Sequence, residues 1–539
     1  MSWSPPTRLE LALPFHLDVH DRVFSTIIER WVEHDPDREC YVQDDGVAVT
    51  YAQVNQRASA VAAALRARGL GAGDRVVTLM ANDVRVVYIG TALAKIGAVE
   101  VPVNPALVGG SLRHLLADAD PKAVVVAPQF RDALLAALPE GASPMMFEAA
   151  PEGGEGADDP GSGHTLDEML ADETTVLNTG EDVRTDMAAT IMYTSGTTGL
   201  PKGAVLPHHH CYLISQRTAA ALTLDGSDTL MSILPLFHAA GRYMNVGASF
   251  LSGARCGYVR AFSGRAFFDQ ARRFEATAMH ALLSVGHFLM AQPPSAKDRE
   301  HSITRGLLAP CPPAVGDRFT ERFGVTVFEA YASTESNITV FNFGGPKGAC
   351  GKPYPPYRLR IVDEYDREVP AGEVGEIVVS SDEPWSTFSG YLNQPATTLE
   401  TTRNFGLHTG DAGYLDEDGY LWFSDRIKDM IRRRGENVAA QTVENVVNAM
   451  DTVAEAAAYP VPSPFGEEEI AIAVTFKSGQ KSTATEIVAF CREHLPRFAV
   501  PRYVRFLEEL PKTETGKIQK FKLKKLGTDG TDEIPEERR

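Results

Sequence analysis

"YTSGTTGLPKG" spans residues 193–203 and follows the apolar run "MAATIM" directly. Its eleven residues hold three glycines, five hydroxyl side chains and one lysine. The apolar run reads as a buried strand ending at Tyr193. A Gly-rich turn after such a strand exposes backbone N–H groups, and without Cβ atoms these can converge on one anion. Gly196 and Gly199 supply that freedom, Thr194, Ser195, Thr197 and Thr198 add hydroxyl groups, and Lys202 adds a positive charge. The loop suits a polyphosphate. It is not a Walker A loop, because Pro201 precedes Lys202 and Gly203 follows it, where that motif needs Gly-Lys-Ser/Thr. On composition alone, a flexible surface turn is the alternative.

The neighbourhood of the loop sets the fold class. "TYAQVNQRASAVAAALRARGL" (50–70) has helical apolar spacing, "DRVVTLM" (74–80) is a short buried-strand run, "VRVVYIGTALAKIGA" (84–98) is helical, and "VEVPVN" (99–104) and "PKAVVVA" (121–127) are extended. Alternating helices and strands predict an α/β domain with parallel pairing. "PEGGEGADDPGSGH" (151–164) reads as a surface loop. Residues 345–425 carry short β-rich pieces such as "RLRIV" and "GEVGEIVVSS" between turns, which predict a small sheet or barrel. Beyond "RRRGENV" the chain reads helix ("AQTVENVVNAM"), strand ("IAIAVTFK"), helix ("ATEIVAFCREHL") and strand ("YVRFLE"), a compact α+β unit. The tail "GTDGTDEIPEERR" (527–539) reads as disordered. The expected architecture is α/β. A large domain over 1–427, made of α/β subdomains and a small barrel-like part, is followed by a small mobile α+β domain over 428–539.

At 539 residues the chain exceeds a single core. Its net charge of -19 argues against nucleic acid or an anionic membrane surface as partner. The six cysteines are scattered with no C-x-x-C pair, as in reduced cytoplasmic proteins. The N-terminal stretch has two prolines and no long apolar run, so no signal peptide is expected, and no stretch reaches the ~20 apolar residues of a membrane span.

"YTSGTTGLPKGAVLPH" (193–208) resembles the signature loop of the AMP-forming acyl- and aryl-CoA synthetases, the adenylate-forming ligase family. Further segments resemble that family in its order: "LPLFHAAG" (234–241), "YASTES" (331–336), "HTGDAGYLDEDGYLWFSDRIKDMIRRRGENV" (408–438) and "PKTETGKIQK" (511–520). "LMAQPPSAKDREH" (289–301) and "RRRGENV" (432–438) are most similar to the crotonobetaine/carnitine-CoA ligase group.

The resemblance implies a two-step reaction. ATP and a small carboxylic acid give an acyl-adenylate and pyrophosphate, and the thiol of coenzyme A then displaces AMP. It implies that Lys517 bridges the carboxylate and the α-phosphate, and that Glu335 ligates Mg²⁺, which favours one or two carboxylates with phosphate and water. Thr194 and Thr334 touch phosphate on this reading, and Tyr331 stacks on adenine. Asp411 accepts both ribose hydroxyls, a role its two acceptor oxygens suit, with Arg426 beside it. Lys428 falls at the family's hinge. His238 lines the acyl pocket and gates the route of the thiol, and Arg242, Tyr243, Asn245, Ser284, Gly286, His287, Ala309 and Ala332 belong to the same pocket. Ala332 departs from the family, which usually has Gly there. A homodimer is compatible with this reading.

Two motifs have competing readings. "HHHC" (208–211) could be a metal cluster, but adjacent histidines on a strand alternate faces and do not converge on one ion. "RRRG" (432–435) is either a site for the phosphates of coenzyme A or a solvated face. Adenylation with a different acceptor, an amine, a carrier-protein thiol or nitrite-derived chemistry, is the alternative activity. A degenerate, non-enzymatic binding protein conflicts with the presence of Lys202, Glu335, Asp411 and Lys517.

Overall fold

The computed structural model describes residues 9–149, 165–172, 174–194, 201–309, 311, 313–427, 430–433, 436–463, 468–512 and 518–534, and the account below concerns these. The chain forms two compact units. One takes Met1–Leu359 and Val379–Leu407, the other Arg360–Val378 and His408–Arg539. The division expected at 427/428 therefore falls inside the second unit's share of the chain. No helix among the described residues is long and apolar enough to cross a membrane.

The first unit holds two sheets. One runs in the order Gly390–Tyr391, Lys202–Pro207, Ala188–Thr194, Val99–Pro102, Arg75–Leu79, Ala123–Val126, Met145–Glu148. From Ala188–Thr194 onward the pairs are parallel, and the first two pairs are antiparallel. Runs such as "AVVV" (123–126) are buried at every position, as strands covered on both faces must be. The second sheet runs Lys352–Pro353, Asn337–Asn342, Thr326–Ser333, Arg305–Ala309, Ala278–Leu282, Thr229–Ser232, Arg255–Tyr258, Glu39–Gln43, Ala48–Thr50. Its central strands are parallel.

Helices share a core with both sheets. Tyr51–Ala67 opens on a capping box in which Thr50 and Gln53 satisfy each other's backbone N–H groups. Val84–Ile96 is capped by Asp83 and ends at Gly97, whose φ of 68° suits the left-handed cap. Ile27, Trp31, Tyr51, Phe250 and Tyr258 pack in one cluster with Val76 and Val125 of the first sheet.

Most residues of a four-stranded sheet, Tyr357–Val362, Gly375–Ser381, Leu407–Leu415, Leu421–Arg426, belong to the second unit, as does a second sheet, Val453–Pro462, Glu468–Phe476, Tyr503–Phe506, Asp532–Glu533. Alternate residues of the latter face opposite ways. Ala456, Ala458, Ile470, Ile472 and Val504 meet the helices Ala440–Asn448 and Ala484–His494, while Ala457, Tyr459, Ala471 and Tyr503 meet Leu510 and Leu523.

Two expectations need correction, and one strand, Val453–Pro462, carries no signal in the sequence. Its alanines favour a helix in isolation, but small side chains buried on both faces let the layers approach. The tail is ordered as far as Ile534, because Asp532–Glu533 pairs antiparallel with Tyr503–Phe506 and Arg502 bonds Glu533 at 2.7 Å; 535–539 lie outside the described residues, as do 151–164. His208, His209 and His210 open the helix His208–Ala221 and do not lie on a strand. Spaced about 100° apart, they take different partners: His209 Nε2 lies 2.9 Å from Glu383, and His210 faces the carbonyls of Ser386 and Thr334.

Candidate active site

The opening motif folds as a hairpin. Ala188–Thr194 and Lys202–Pro207 pair antiparallel with Thr194 opposite Lys202, so the two residues stand together where the loop begins and ends. Gly203 faces Tyr193 across the hairpin, and a Cβ there would lie 2.8 Å from Ile191 Cγ2, a contact only glycine avoids. His114 reaches the Pro201 carbonyl at 3.1 Å, and Tyr193 donates to Asp118 at 2.8 Å, so both arms are tied to the helix Gly109–Ala119. Thr194 sits at the carboxyl end of a strand parallel to Val99–Pro102, the end at which open α/β sheets bind ligands. Ser195, Gly196, Thr197, Thr198 and Gly199 lie outside the described residues.

Glu335 comes to this hairpin from the other sheet of the same unit. It follows Thr326–Ser333 in the tight connection to Asn337–Asn342, where the Ser336 N–H donates to Ser333 Oγ and Asn337 takes a φ of 75°. The turn is held from behind. His210 Nε2 lies 3.1 Å from the Thr334 carbonyl, and the Phe388 N–H donates to the Glu335 carbonyl at 2.9 Å. Two hydroxyls donate to Glu335 Oε1, Thr194 at 3.4 Å and Tyr391 at 2.9 Å. Lys202 Nζ stands 5.2 Å from the centre of the Tyr391 ring, within cation–π range. Thr334 and Glu335 are half-buried, Tyr331 is buried and Ala332 is exposed beside a bulge.

These oxygens fit Mg²⁺, which needs one or two carboxylates and completes its shell with phosphate and water. No group of three or more His, Cys, Asp or Glu able to hold a metal occurs among the described residues.

Four of the residues expected at the acyl pocket lie at the carboxyl ends of neighbouring parallel strands. Ala309 ends one strand opposite Leu282, which ends the next, and Ser284, Gly286 and His287 begin the helix Leu283–Met290 that follows. Ser284 and His287 are exposed, as are Leu282 and Phe288, while Gly286 is buried against Leu308. His238 is exposed, and desolvation by the surrounding protein lowers its pKa. The Ala240 N–H donates to His238 Nδ1 at 3.2 Å, so the neutral ring carries its proton on Nε2.

Arg242, Tyr243 and Asn245 belong to a π-helix, Ala240–Gly247, a form that concentrates at functional sites. All three are buried and engaged with protein. Arg242 donates to Glu100 at 2.6 Å and to the carbonyls of Val86 and Leu236. Tyr243 meets Cys211. Asn245 donates to Ser232 Oγ at 2.8 Å and accepts from His280 Nδ1 at 2.7 Å. Burial pushes His280 down to about 3, leaving it neutral at physiological pH.

Glu329 carried no signal in the sequence. It shares a strand face with Tyr331, and burial pushes its carboxyl up to about 7, with Cys350 Sγ at 4.0 Å.

Within the second unit, Asp411 and Arg426 are paired residues of the hairpin Leu407–Leu415/Leu421–Arg426, with Arg426 Nε 3.5 Å from Asp411 Oδ1. Asp411 is 7% exposed, and its approach is fixed by a clip. Glu376 accepts from His408 Nδ1 at 2.8 Å with one oxygen and from the Gly410 N–H at 3.1 Å with the other. Gly410 takes a φ of 70°, and Thr409 bonds both the Ile377 carbonyl and the Asp411 N–H. No local pattern announces Glu376, because its partners lie more than thirty positions away.

Lys428 and Lys517 lie outside the described residues. On either side of the undescribed residues 513–517, Lys512 bridges Ile518 and the Gln519 N–H donates to the Pro511 carbonyl. Arg433 fits neither reading of the "RRRG" run. It is 1% exposed and pairs at 2.7 Å with Glu469, while donating to the carbonyls of Phe498 and Val500.

Comparison with known proteins gives a consistent pattern. The model of a family described as AMP-binding enzyme matches residues 28–392, and that of the AMP-binding enzyme C-terminal domain matches 442–517. The crotonobetaine/carnitine–CoA ligase of Salmonella paratyphi B is 30% identical over 489 residues, 88% of this chain and 93% of that protein. Among solved structures, ATP-bound MatB from Rhodopseudomonas palustris superposes with a TM-score of 0.85 at 27% identity, covering 95% of this chain and 99% of MatB. The anthranilate CoA ligase AuaEII, bound to anthranoyl-AMP, gives 0.84 at 25% identity, covering 94% and 98%.

Proposed function

The chain belongs to the AMP-binding enzyme family, and from that premise we propose that it activates a small carboxylic acid with ATP and transfers the acyl group to coenzyme A. The observation that carries this reading is the cluster of Thr194, Lys202, Glu335 and Tyr391 at the carboxyl end of a parallel strand.

In the first step a substrate carboxylate oxygen attacks the α-phosphorus of ATP, the bond to the bridging oxygen breaks, and pyrophosphate leaves. Negative charge accumulates on crowded phosphate oxygens, and fixed donors aimed there stabilise it. Thr194, Thr334 and Lys202 would hold the polyphosphate, joined by the loop groups of Ser195, Gly196, Thr197, Thr198 and Gly199. Glu335 would hold Mg²⁺, which when bound neutralises phosphate charge. Asp411, with Arg426 beside it, would accept the ribose hydroxyls, Tyr331 would meet adenine, and Lys517 would supply the charge at the α-phosphate. In the second step the thiol sulfur attacks the acyl carbon, the thiol proton is lost, and AMP leaves with the bonding electrons of the acyl–oxygen bond.

His238 keeps an N–H at Nε2 and would donate it to the substrate in the acyl pocket. Ser284, Gly286, His287, Ala309 and Ala332 would line the same pocket. Arg242, Tyr243 and Asn245 would set its shape, because their polar groups are bonded to protein. Lys428 would be the hinge that lets Lys517 serve the first step and withdraw before the second.

The test is pyrophosphate release across a panel of carboxylic acids, with and without coenzyme A, and mass spectrometry of the products. Acid-dependent release followed by a thioester supports the reading. No release with any acid refutes adenylation, and release that yields no thioester with coenzyme A refutes the acceptor.

A further inference from the structure

We propose that Tyr391 is a positioning residue for both halves of the polyphosphate site, orienting the Glu335 carboxylate with its hydroxyl and the Lys202 ammonium with its ring. The inference rests on the reading of Glu335 as the Mg²⁺ ligand and of Lys202 as a phosphate contact.

Tyr391 is unusually well anchored for a residue near a strand edge. Its strand, Gly390–Tyr391, pairs antiparallel with Lys202–Pro207, placing Tyr391 opposite Ala204. Backbone bonds hold both sides: the Ser389 N–H donates to the Val205 carbonyl and the Leu392 N–H to the Gly203 carbonyl, each at 2.8 Å. The Tyr391 N–H donates to Thr398 Oγ1 at 2.8 Å, and the ring meets Phe388 edge-on at 5.0 Å. A side chain fixed this firmly can orient others without first losing its own freedom.

The two ends of the side chain do different things. The hydroxyl donates to Glu335 Oε1 at 2.9 Å, the oxygen that also receives Thr194. Two donors on one oxygen restrict rotation of the carboxylate, as partners of metal ligands do elsewhere. The π face sits 5.2 Å from Lys202 Nζ. A lysine head on a four-carbon stem loses conformational freedom when it binds phosphate, and a ring that holds it beforehand removes part of that loss. The residues that would bind metal and phosphate thus share one rigid phenol.

Two substitutions separate the two functions. Tyr391→Phe removes the hydroxyl and keeps the ring, the Phe388 contact and every backbone bond. Tyr391→Leu removes both. ATP is titrated into each protein by calorimetry, without carboxylic acid, over a series of Mg²⁺ concentrations and in EDTA. Tyr391→Phe is expected to raise the half-saturating Mg²⁺ concentration about tenfold and to leave ATP affinity in EDTA unchanged. Tyr391→Leu is expected to raise the Mg²⁺ requirement equally and to weaken ATP in EDTA about two- to fivefold as well.

An unchanged Mg²⁺ requirement in Tyr391→Phe, alongside a raised one in Glu335→Gln, overturns the role of the hydroxyl while leaving Glu335 as the ligand. An unchanged requirement in Glu335→Gln overturns the reading of Glu335 on which the inference rests. Equal ATP affinity in EDTA for Tyr391→Leu and Tyr391→Phe overturns the role of the ring.

Discussion

Replacing Glu329 with glutamine should make the protein more stable at alkaline pH and leave it nearly unchanged in acid. Burial raises the Glu329 carboxyl from 4.5 to about 7. The direction follows from which state binds the proton. Below pH 4.5 both the folded and the unfolded chain carry it, and no stability is lost. Between 4.5 and about 7 the unfolded chain ionises while the folded side chain holds its proton, so stability falls as pH rises. Above 7 the whole difference is present. At 1.36 kcal/mol for each factor of ten it amounts to about 3 kcal/mol. Glutamine mimics the protonated acid at every pH. Urea unfolding of Glu329→Gln and the parent protein, followed by tryptophan fluorescence, should differ by about 1 kcal/mol or less at pH 5 and by about 3 kcal/mol at pH 8. A difference that is the same at both values would mean that the fold does not resist ionisation of Glu329, and the argument from burial would fail.

Lys517→Ala is expected to nearly abolish pyrophosphate release while leaving transfer from a supplied acyl-adenylate largely intact; equal loss of both half-reactions in a folded variant would remove Lys517 from its assigned step. Asp411→Ala should weaken ATP binding about tenfold to a hundredfold, the worth of charge-assisted hydrogen bonds at roughly 1.5–3 kcal/mol, and unchanged ATP saturation kinetics would exclude Asp411 from ribose recognition. Lys428→Pro fixes φ near -65° and removes a donor; single-turnover assays should show normal pyrophosphate release with acyl transfer slowed by orders of magnitude, and normal transfer would refute a hinge at this residue.

Much of the architecture is legible in short stretches. The runs at 75–79, 99–102 and 123–126 and the helices Tyr51–Ala67 and Val84–Ile96 lie where their apolar spacing puts them, because each of those elements is decided by burial of its own residues. Val453–Pro462 escaped because alanine carries no strand signal, and its conformation is decided by Glu468–Phe476 and by the layers on both faces. The triple histidine does not continue the strand Lys202–Pro207, because the helix begins right after Pro207. The π-helix at Ala240–Gly247 has no compositional mark. At the candidate site, the composition of the loop points to Thr194 and Lys202, and the family resemblance points to Glu335. Neither could reveal that Tyr391 and His210 hold them, because those bonds join positions 56 and 124 residues apart. Arg433 shows the converse, since a basic run that looks like surface contains a side chain buried with Glu469.

The pairing of Gly390–Tyr391 with Lys202–Pro207 has a consequence for biosynthesis. Outside this short pairing, the strand Lys202–Pro207 lies at the margin of its sheet, with Ala188–Thr194 as its one other neighbour among the described residues. A ribosome makes about 180 further residues between Pro207 and Tyr391, which takes about 10–40 s at ordinary rates of synthesis. For that interval the outer edge of a six-strand sheet presents open backbone donors and acceptors, the feature by which nascent chains recruit one another. Two residues that arrive late close this edge, and the same two bring in the phenol that meets Glu335. Closure of the sheet margin and arrival of the phenol at Glu335 are therefore a single event in the birth of the molecule, and a chain stalled before residue 391 would lack both and be prone to self-association.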